Sequence, residues 1–262
     1  MIGSSVKKSS VSEALAIPSA GELHLWLCHR DIAADTNELL RRVLSRYTGV
    51  DPGQLSMRRG PQGKPALAWP GPAEPGRAEP GLPLDFNISD SGDWLALVLS
   101  DGTAVGIDLE YCAARRDVLK LARRFFRVAE LADLEACGGA ERSSRFYDYW
   151  TLKEACIKAT GGSLGHELEA TGFTVRYPAV AAGRAAPGCI VPLAPTTTVP
   201  AWYCLAQPLA DYRLAVCGLA PRDFSPGLRC FELRAGTVAI ERPLALRAVS
   251  MVSELMPEAC HL

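Results

Sequence analysis

The sequence predicts a mixture of separate strands and helices, and three patterns carry that prediction. Glu22 to His29 (ELHLWLCH) alternates, with Leu23, Leu25 and Leu27 on one side, which is the period of a strand. Trp94 to Leu99 (WLALVL) is a nearly continuous apolar strand, and Asp101-Gly102 turns it into a following strand, Thr103 to Tyr111. Phe146 to Gly162 carries Phe146, Tyr149, Leu152, Cys156 and Ala159 at a spacing of roughly 3.6 residues, an apolar helical stripe. Gly161 and Gly162 then supply the left-handed stop that ends a helix.

The remaining elements follow in order. Residues 1–20 read as a loose tail. Lys7-Lys8 precedes an apolar stretch there, but Glu13 interrupts it and serines fill the start, so no secretory signal is read. Thr36 to Thr48 places Leu39, Leu40, Val43, Leu44 and Tyr47 at helical spacing and closes on Gly49; Arg41, Arg42 and Arg46 form a solvated face. Gln62-Gly63-Lys64-Pro65 is a turn, and Pro70 to Pro83, with AEPG twice, is an exposed loop that cannot build a core. Asp85 to Ser91 (DFNISDS) leads into the apolar strand. Asp117 to Arg127 reads as a helix with Leu121 and Phe125 inward, and Glu130 to Ala136 continues helical. Phe173 to Tyr177 is a strand, and Ala201 to Leu205 with Tyr212 to Cys217 is a closing hairpin, separated by proline-rich loops at 178–200. Phe224 to Leu262 contains strand-like and helix-like fragments without an assigned role.

The 262 residues, 48% hydrophobic, suffice for one large domain or two small ones with real cores. Against 28 basic residues stand 29 acidic ones, and a net charge of −1 gives no global pull toward nucleic acid or an anionic membrane. Nine cysteines without a CxxC pair, and only four histidines, argue against a zinc site or a disulfide framework and suit a reducing cytosol. No window reaches transmembrane length, so a soluble, cytoplasmic protein is expected.

Two charged pairs suggest chemistry. Val105, Ile107 and Leu109 face one way, so Asp108 and Glu110 share the other face of their strand, with α-carbons roughly 6–7 Å apart. Such carboxylates repel unless a cation sits between them, and magnesium is commonly held by one or two carboxylates plus substrate phosphates. Glu154 and Lys158, four residues apart, stack on one helix face with Trp150 a turn earlier. Alone, a helical Glu-Lys pair is ordinary surface decoration; the acidic pair upstream gives it a context. Lys120, Arg123, Arg124 and Arg127 make a basic face, either solvated or docking an acidic partner or phosphate.

Read together, GKP at 63–65, FNISDS at 86–91, GIDLE at 106–110, RFF at 124–126 with Glu130, and WTLKEACIKATGGSL at 150–164 resemble the Sfp-type 4'-phosphopantetheinyl transferases. That family's GKP, FNxSHS, GxDxE and WxxKEAxxKxxG occur in this order at comparable spacing. The resemblance covers about residues 22–218 and is strongest from 86 to 164. It implies an α+β fold, a pseudo-twofold pair of small antiparallel-sheet-plus-helix halves meeting at a cleft for coenzyme A. By that likeness the halves run 21–103, with the loop at 70–83, and 104–220, which carries the metal site; 1–20 is a tail and 221–262 an extension of unknown role. A monomer is implied, with neither nucleic acid nor membrane as a partner. The implied reaction is that of a holo-[acyl-carrier-protein] synthase type transferase. It moves the phosphopantetheine arm of coenzyme A to a serine of an acyl or peptidyl carrier protein and releases 3',5'-ADP.

The resemblance also implies roles. Asp108, Glu110 and Glu154 would hold Mg²⁺. Glu154 would activate the nucleophile, and Lys158 would bond a phosphate oxygen. Lys64, Ser89 and Asp90 occupy coenzyme A-binding positions, and Lys120, Arg123, Arg124 and Arg127 would meet the carrier. Two departures stand out. Asp90 replaces the family's histidine, exchanging a donor for a carboxylate that repels a diphosphate. The approach to the first helix, Asp31 to Asn37, is short and carries no basic residue. These departures motivate the alternative of a degenerate relative that only binds carrier protein; a metal-dependent phosphatase using the same three carboxylates is a third reading.

Overall fold

The structure is a computed structural model that describes residues 15–60, 63–68, 84–112, 117–162, 164–178, 187–193, 202–219, 226–235 and 238–250. The tail before residue 15, Gln62, the stretch Pro70–Pro83 and residues 251–262 fall outside that set. Its elements begin with β1 (Glu22–His29), α1 (Thr36–Thr48), β2 (Ser56–Arg59), β3 (Pro65–Ala68), β4 (Asp85–Ser91), β5 (Trp94–Ser100) and β6 (Val105–Tyr111). Then come α2 (Val118–Phe125), α3 (Val128–Ala136), α4 (Gly139–Thr160), α5 (Leu164–Ala170), β7 (Phe173–Arg176) and β8 (Gly188–Pro192). The chain continues through β9 (Trp202–Gln207), β10 (Tyr212–Gly218), β11 (Gly227–Arg234), β12 (Val238–Arg242) and β13 (Ala245–Ser250).

One topology is used twice. A strand leads into a helix, then into a hairpin whose second strand returns antiparallel beside the first: β1, α1, β4–β5 in one unit, and β6, α4, β9–β10 in the other. The α+β fold read from the sequence is therefore the fold of the chain. Each unit sits in its own sheet, ordered β12-β11-β1-β5-β4 and β6-β10-β9-β13-β8-β7, with β2–β3 as a separate hairpin.

Three apolar layers hold the sheets and helices together. Leu23, Leu25, Leu27 and Val98 of one sheet meet Val105, Ile107, Leu109, Leu214 and Val216 of the other. Outside the first sheet, α1 places Leu39, Leu40, Val43 and Leu44 on Trp26, Leu95, Leu97 and Phe86. Outside the second, α4 places Phe146, Tyr149, Leu152, Cys156 and Ala159 on Phe173, Val175, Ala215 and Cys217. Asp35 caps α1 by accepting from the Glu38 amide at 2.8 Å, and Gly49 closes it at a φ of 70°.

Several elements differ from the sequence reading, each for a physical reason. β1 is buried on both faces, because α1 covers the side that alternation leaves polar; His24 is only 2% exposed. α4 starts seven residues earlier than its apolar stripe, at Gly139, and also buries Tyr147, Asp148, Thr151, Lys153 and Ile157, since α2, α3 and α5 pack behind it. α2 ends at Phe125, and Arg127 becomes the N-cap of α3. A strand, β8, lies within the segment 178–200 read as loop, paired antiparallel to β7 and parallel to β13. The C-terminal stretch without an assigned role supplies three strands. β11 runs parallel to β1 with Glu22 opposite Gly227, β12 extends the same sheet, and β13 enters the other between β9 and β8.

Candidate active site

The two units meet where edge strand β4 faces edge strand β6. In β6 the backbone groups of alternate residues pair with β10, leaving the amides of Val105, Ile107, Leu109 and Tyr111 pointing outward. β4 receives them with side chains. Val105 donates to Asp85 Oδ2 at 2.9 Å, Ile107 to Asn87 Oδ1 at 3.1 Å, Leu109 to Ser89 Oγ at 3.2 Å and Tyr111 to Ser91 Oγ at 3.0 Å. The edge is thereby satisfied without a backbone ladder.

Gly106 sets the approach of the catalytic-helix candidate. A Cβ built there would lie 2.1 Å from the Ala155 carbonyl oxygen and 2.5 Å from the Ala159 amide. Only glycine lets α4 settle this closely on β6. The residues on either side of that contact, Glu154 and Lys158, are delivered opposite Asp108.

Lys158 sits among the acids. Its Nζ donates to Asp108 Oδ1 at 2.7 Å and to Ser89 Oγ at 3.2 Å, and lies 3.7 Å from Glu154 Oε2. Burial pulls its ammonium down, but Asp108 and Glu154 outweigh that and hold it above the ordinary lysine value. Glu154 goes the other way. Burial, then the neighbouring charge of Asp108, and further Glu110, push its carboxyl up to about 8 against the pull of Lys158. A carboxylate crowded in this manner is relieved by added positive charge.

The donors suit a hard divalent cation. All are carboxylate oxygens, and Asp108 Oδ2 is buried without a hydrogen-bond donor among the described residues, an acceptor that calls for one. Among the described residues, no three acidic, histidine or cysteine side chains are already gathered about a single point; Lys158 stands between them.

The other predicted positions are distributed as follows. Ser89 lies within the acidic group, donating to Asp108 Oδ1 at 3.0 Å. Lys64 follows a left-handed Gly63 (φ 84°) and reaches the far end of the seam, donating to Asp85 Oδ2 at 2.6 Å and to the Val105 carbonyl at 3.1 Å. Asp90, of opposite parity to Ser89, points away from Asp108 and pairs with Arg30, which also donates to the Gly92 carbonyl. Lys120, Arg123 and Arg124 are exposed on α2. Arg127 binds the carbonyls of Glu169, Ala170 and Leu193, tying the α2–α3 corner to α5.

Sequence reasoning missed two groups. Asp85, Asn87 and Ser91 carry the seam; their only signal was a small polar residue at every second position. Lys153 is wholly buried with Glu130 at 2.7 Å; both lie in the quoted motifs, but neither was given a role, because helical spacing alone does not separate a buried lysine from a solvated one.

Fold and side-chain geometry together define a two-unit α+β protein with an acid–lysine cluster on the seam between its units. Residues 104–217 match the family model of the 4'-phosphopantetheinyl transferase superfamily. The chain is similar to a 4'-phosphopantetheinyl transferase of Bacillus subtilis, 30% identical over 201 residues, 76% of this chain and 78% of that one. It is also similar to 4'-phosphopantetheinyl transferase AcpT of Salmonella typhimurium, 40% identical over 123 residues, 47% of this chain and 57% of the relative. The likeness to 4'-phosphopantetheinyl transferase HetI of Nostoc is 36% over 126 residues, 48% of this chain and 50% of the relative. The chain thus spans about half the length of several curated relatives it matches, and more than three quarters of the Bacillus one. This chain belongs to the 4'-phosphopantetheinyl transferase superfamily.

Proposed function

We propose that the protein transfers the 4'-phosphopantetheine arm of coenzyme A to a serine of an acyl or peptidyl carrier protein, as a holo-[acyl-carrier-protein] synthase type enzyme. The observation that carries this reading is the meeting of Glu154 and Lys158 from α4 with Asp108 from β6. Asp108, Glu110 and Glu154 would hold Mg²⁺, which when bound neutralises the diphosphate of the substrate. The serine hydroxyl forms a new bond to the β-phosphorus, and the bond from that phosphorus to the bridging oxygen breaks, releasing 3',5'-ADP. Glu154 takes the serine proton, directly or through water. Lys158 offsets charge on the phosphate oxygens as the leaving group departs.

Coenzyme A would lie along the seam, with Ser89 and Lys64 at its phosphates and Asp90 near its approach. The carrier would dock at the groove between α2, α3 and α5, where Arg123 and Arg124 flank Val128, an apolar side chain 85% exposed. Lys120 extends the same basic surface, and Arg127 shapes its floor. A cytoplasmic monomer acting on neither nucleic acid nor membrane completes the proposal; among the described residues no helix is long and apolar enough to cross a bilayer.

The test is incubation with apo-carrier, coenzyme A and Mg²⁺, followed by intact mass. A phosphopantetheine adduct that EDTA prevents is expected, and no adduct on several different carriers overturns the reading. Asp90 tests the coenzyme A side. Its pair with Arg30 is exposed, with side chains 44% and 34% accessible, so Asp90→His should leave stability within about 1 kcal/mol. It removes a carboxylate from the approach and releases Arg30, so calorimetry should show tighter coenzyme A binding. Unchanged or weaker affinity would make Asp90 a working ligand.

A further inference from the structure

The β4 seam contains two kinds of rung. Asn87 receives the Ile107 amide, and Asp85 receives the Val105 amide while pairing with Lys64. The two serine rungs go further. A hydroxyl has one proton to donate and lone pairs to accept with. Ser89 Oγ accepts from the Leu109 amide at 3.2 Å and donates to Asp108 Oδ1 at 3.0 Å. Ser91 Oγ accepts from the Tyr111 amide at 3.0 Å and donates to Glu110 Oε2 at 3.2 Å. Each serine is therefore held by the amide one residue beyond an acid and bonds that acid's carboxylate.

We propose that Ser89 and Ser91 are positioning residues for Asp108 and Glu110, so that edge strand β4 of one unit sets the carboxylates of the other. This rests on reading Asp108 and Glu110 as divalent-cation ligands. The amide fixes where each hydroxyl sits, and the hydroxyl proton then selects one oxygen of each carboxylate. On Asp108 the bonded oxygen is Oδ1, shared with Lys158, while Oδ2 is buried and without a hydrogen-bond donor among the described residues. A ligand pair fixed in this way loses little freedom on binding a cation. Asn87 supplies the contrast, since its rung serves the backbone of Ile107, the residue before Asp108, through a carbonyl that has no proton to give.

The experiment titrates the full-length chain with Mn²⁺, reading free Mn²⁺ by electron paramagnetic resonance and folding by thermal unfolding. Ser91→Ala should weaken Mn²⁺ binding by about tenfold, the lower end of what outer ligand partners contribute. Ser91→Thr keeps the hydroxyl and should restore most of that affinity. Asn87→Ala should lower the melting temperature at least as much as Ser91→Ala yet bind Mn²⁺ like the wild type; Asn87→Ser serves where Asn87→Ala does not fold. The proposal is overturned if Ser91→Ala binds Mn²⁺ normally, or if the Asn87 variant loses as much affinity as Ser91→Ala. A wild-type chain that binds no Mn²⁺ overturns the cation reading itself, a result distinct from either of those.

Discussion

Glu154→Gln is expected to abolish phosphopantetheine transfer while leaving the fold standing, and to raise the melting temperature in divalent-free buffer. The glutamine keeps the shape of the side chain, 15% exposed beside Lys158, but can neither accept the serine proton nor offer an anionic ligand. In the proposed roles of Glu154, losing a positioned base alone would cost roughly 10²–10⁴ in rate, and losing a metal ligand would add to that. The stability gain comes from the same crowding. In the folded chain burial and the charges of Asp108 and Glu110 raise the carboxyl to about 8 from its ordinary value of 4.5. Between those values the unfolded chain has given up a proton that the folded chain retains, so stability falls as pH rises through that window. Glutamine has no proton to lose. The gap between variant and wild type should therefore open from about pH 4.5 to 8, and Mg²⁺ should narrow it by stabilising the wild type. Intact-mass transfer assays and melting curves with and without Mg²⁺ check both halves. Full activity would remove Glu154 from the chemistry.

What the sequence made legible was local. β1, α1, β6 and the apolar stripe of α4 announce themselves by period, β5 by its continuous apolar run, and the β9–β10 hairpin joins neighbouring segments. The pairing of β11 with β1 joins residues about two hundred positions apart, Glu22 opposite Gly227. No periodicity specifies such a partner, because parallel register is set by burial of the whole sheet. The same distinction runs through the site. Asp108, Glu110, Glu154 and Lys158 stand out as charges in ordered elements, and folding brings Asp108, Glu154 and Lys158 into contact. Asp85, Asn87, Ser89 and Ser91 were visible as an alternating polar strip, but what they bond is the backbone of another strand, which no side-chain pattern encodes. Arg127 reads as part of a basic face until α5 supplies the carbonyls that bind it.

Lys153→Met is expected to be the most destabilising single change in the region, because it takes the partner from a carboxyl buried where no water reaches. Lys153 and Glu130 are both fully buried, 2.7 Å apart. Burial pulls Lys153 down and pushes Glu130 up, each opposed by the partner's charge. Glu130 is well satisfied in this setting, since it also accepts from the Arg127 amide at 2.8 Å and the Phe173 amide at 2.9 Å. Lys153 donates in turn to the Leu168 carbonyl at 2.9 Å and to the Thr171 carbonyl. The pair therefore ties the α2–α3 corner, the end of α5 and the start of β7 to α4, one residue from Glu154. Removing one partner of such a pair costs about 3–5 kcal/mol. At roughly 2–4 °C per kcal/mol for a chain near this size, the melting temperature should fall by about 10 °C. The double variant Lys153→Met with Glu130→Gln should recover part of the loss, because the amide keeps an acceptor for the backbone and leaves no bare carboxylate. A single variant that melts within about 2 °C of the wild type, or a double variant worse than the sum of both single changes, would show that the pair does not brace α4.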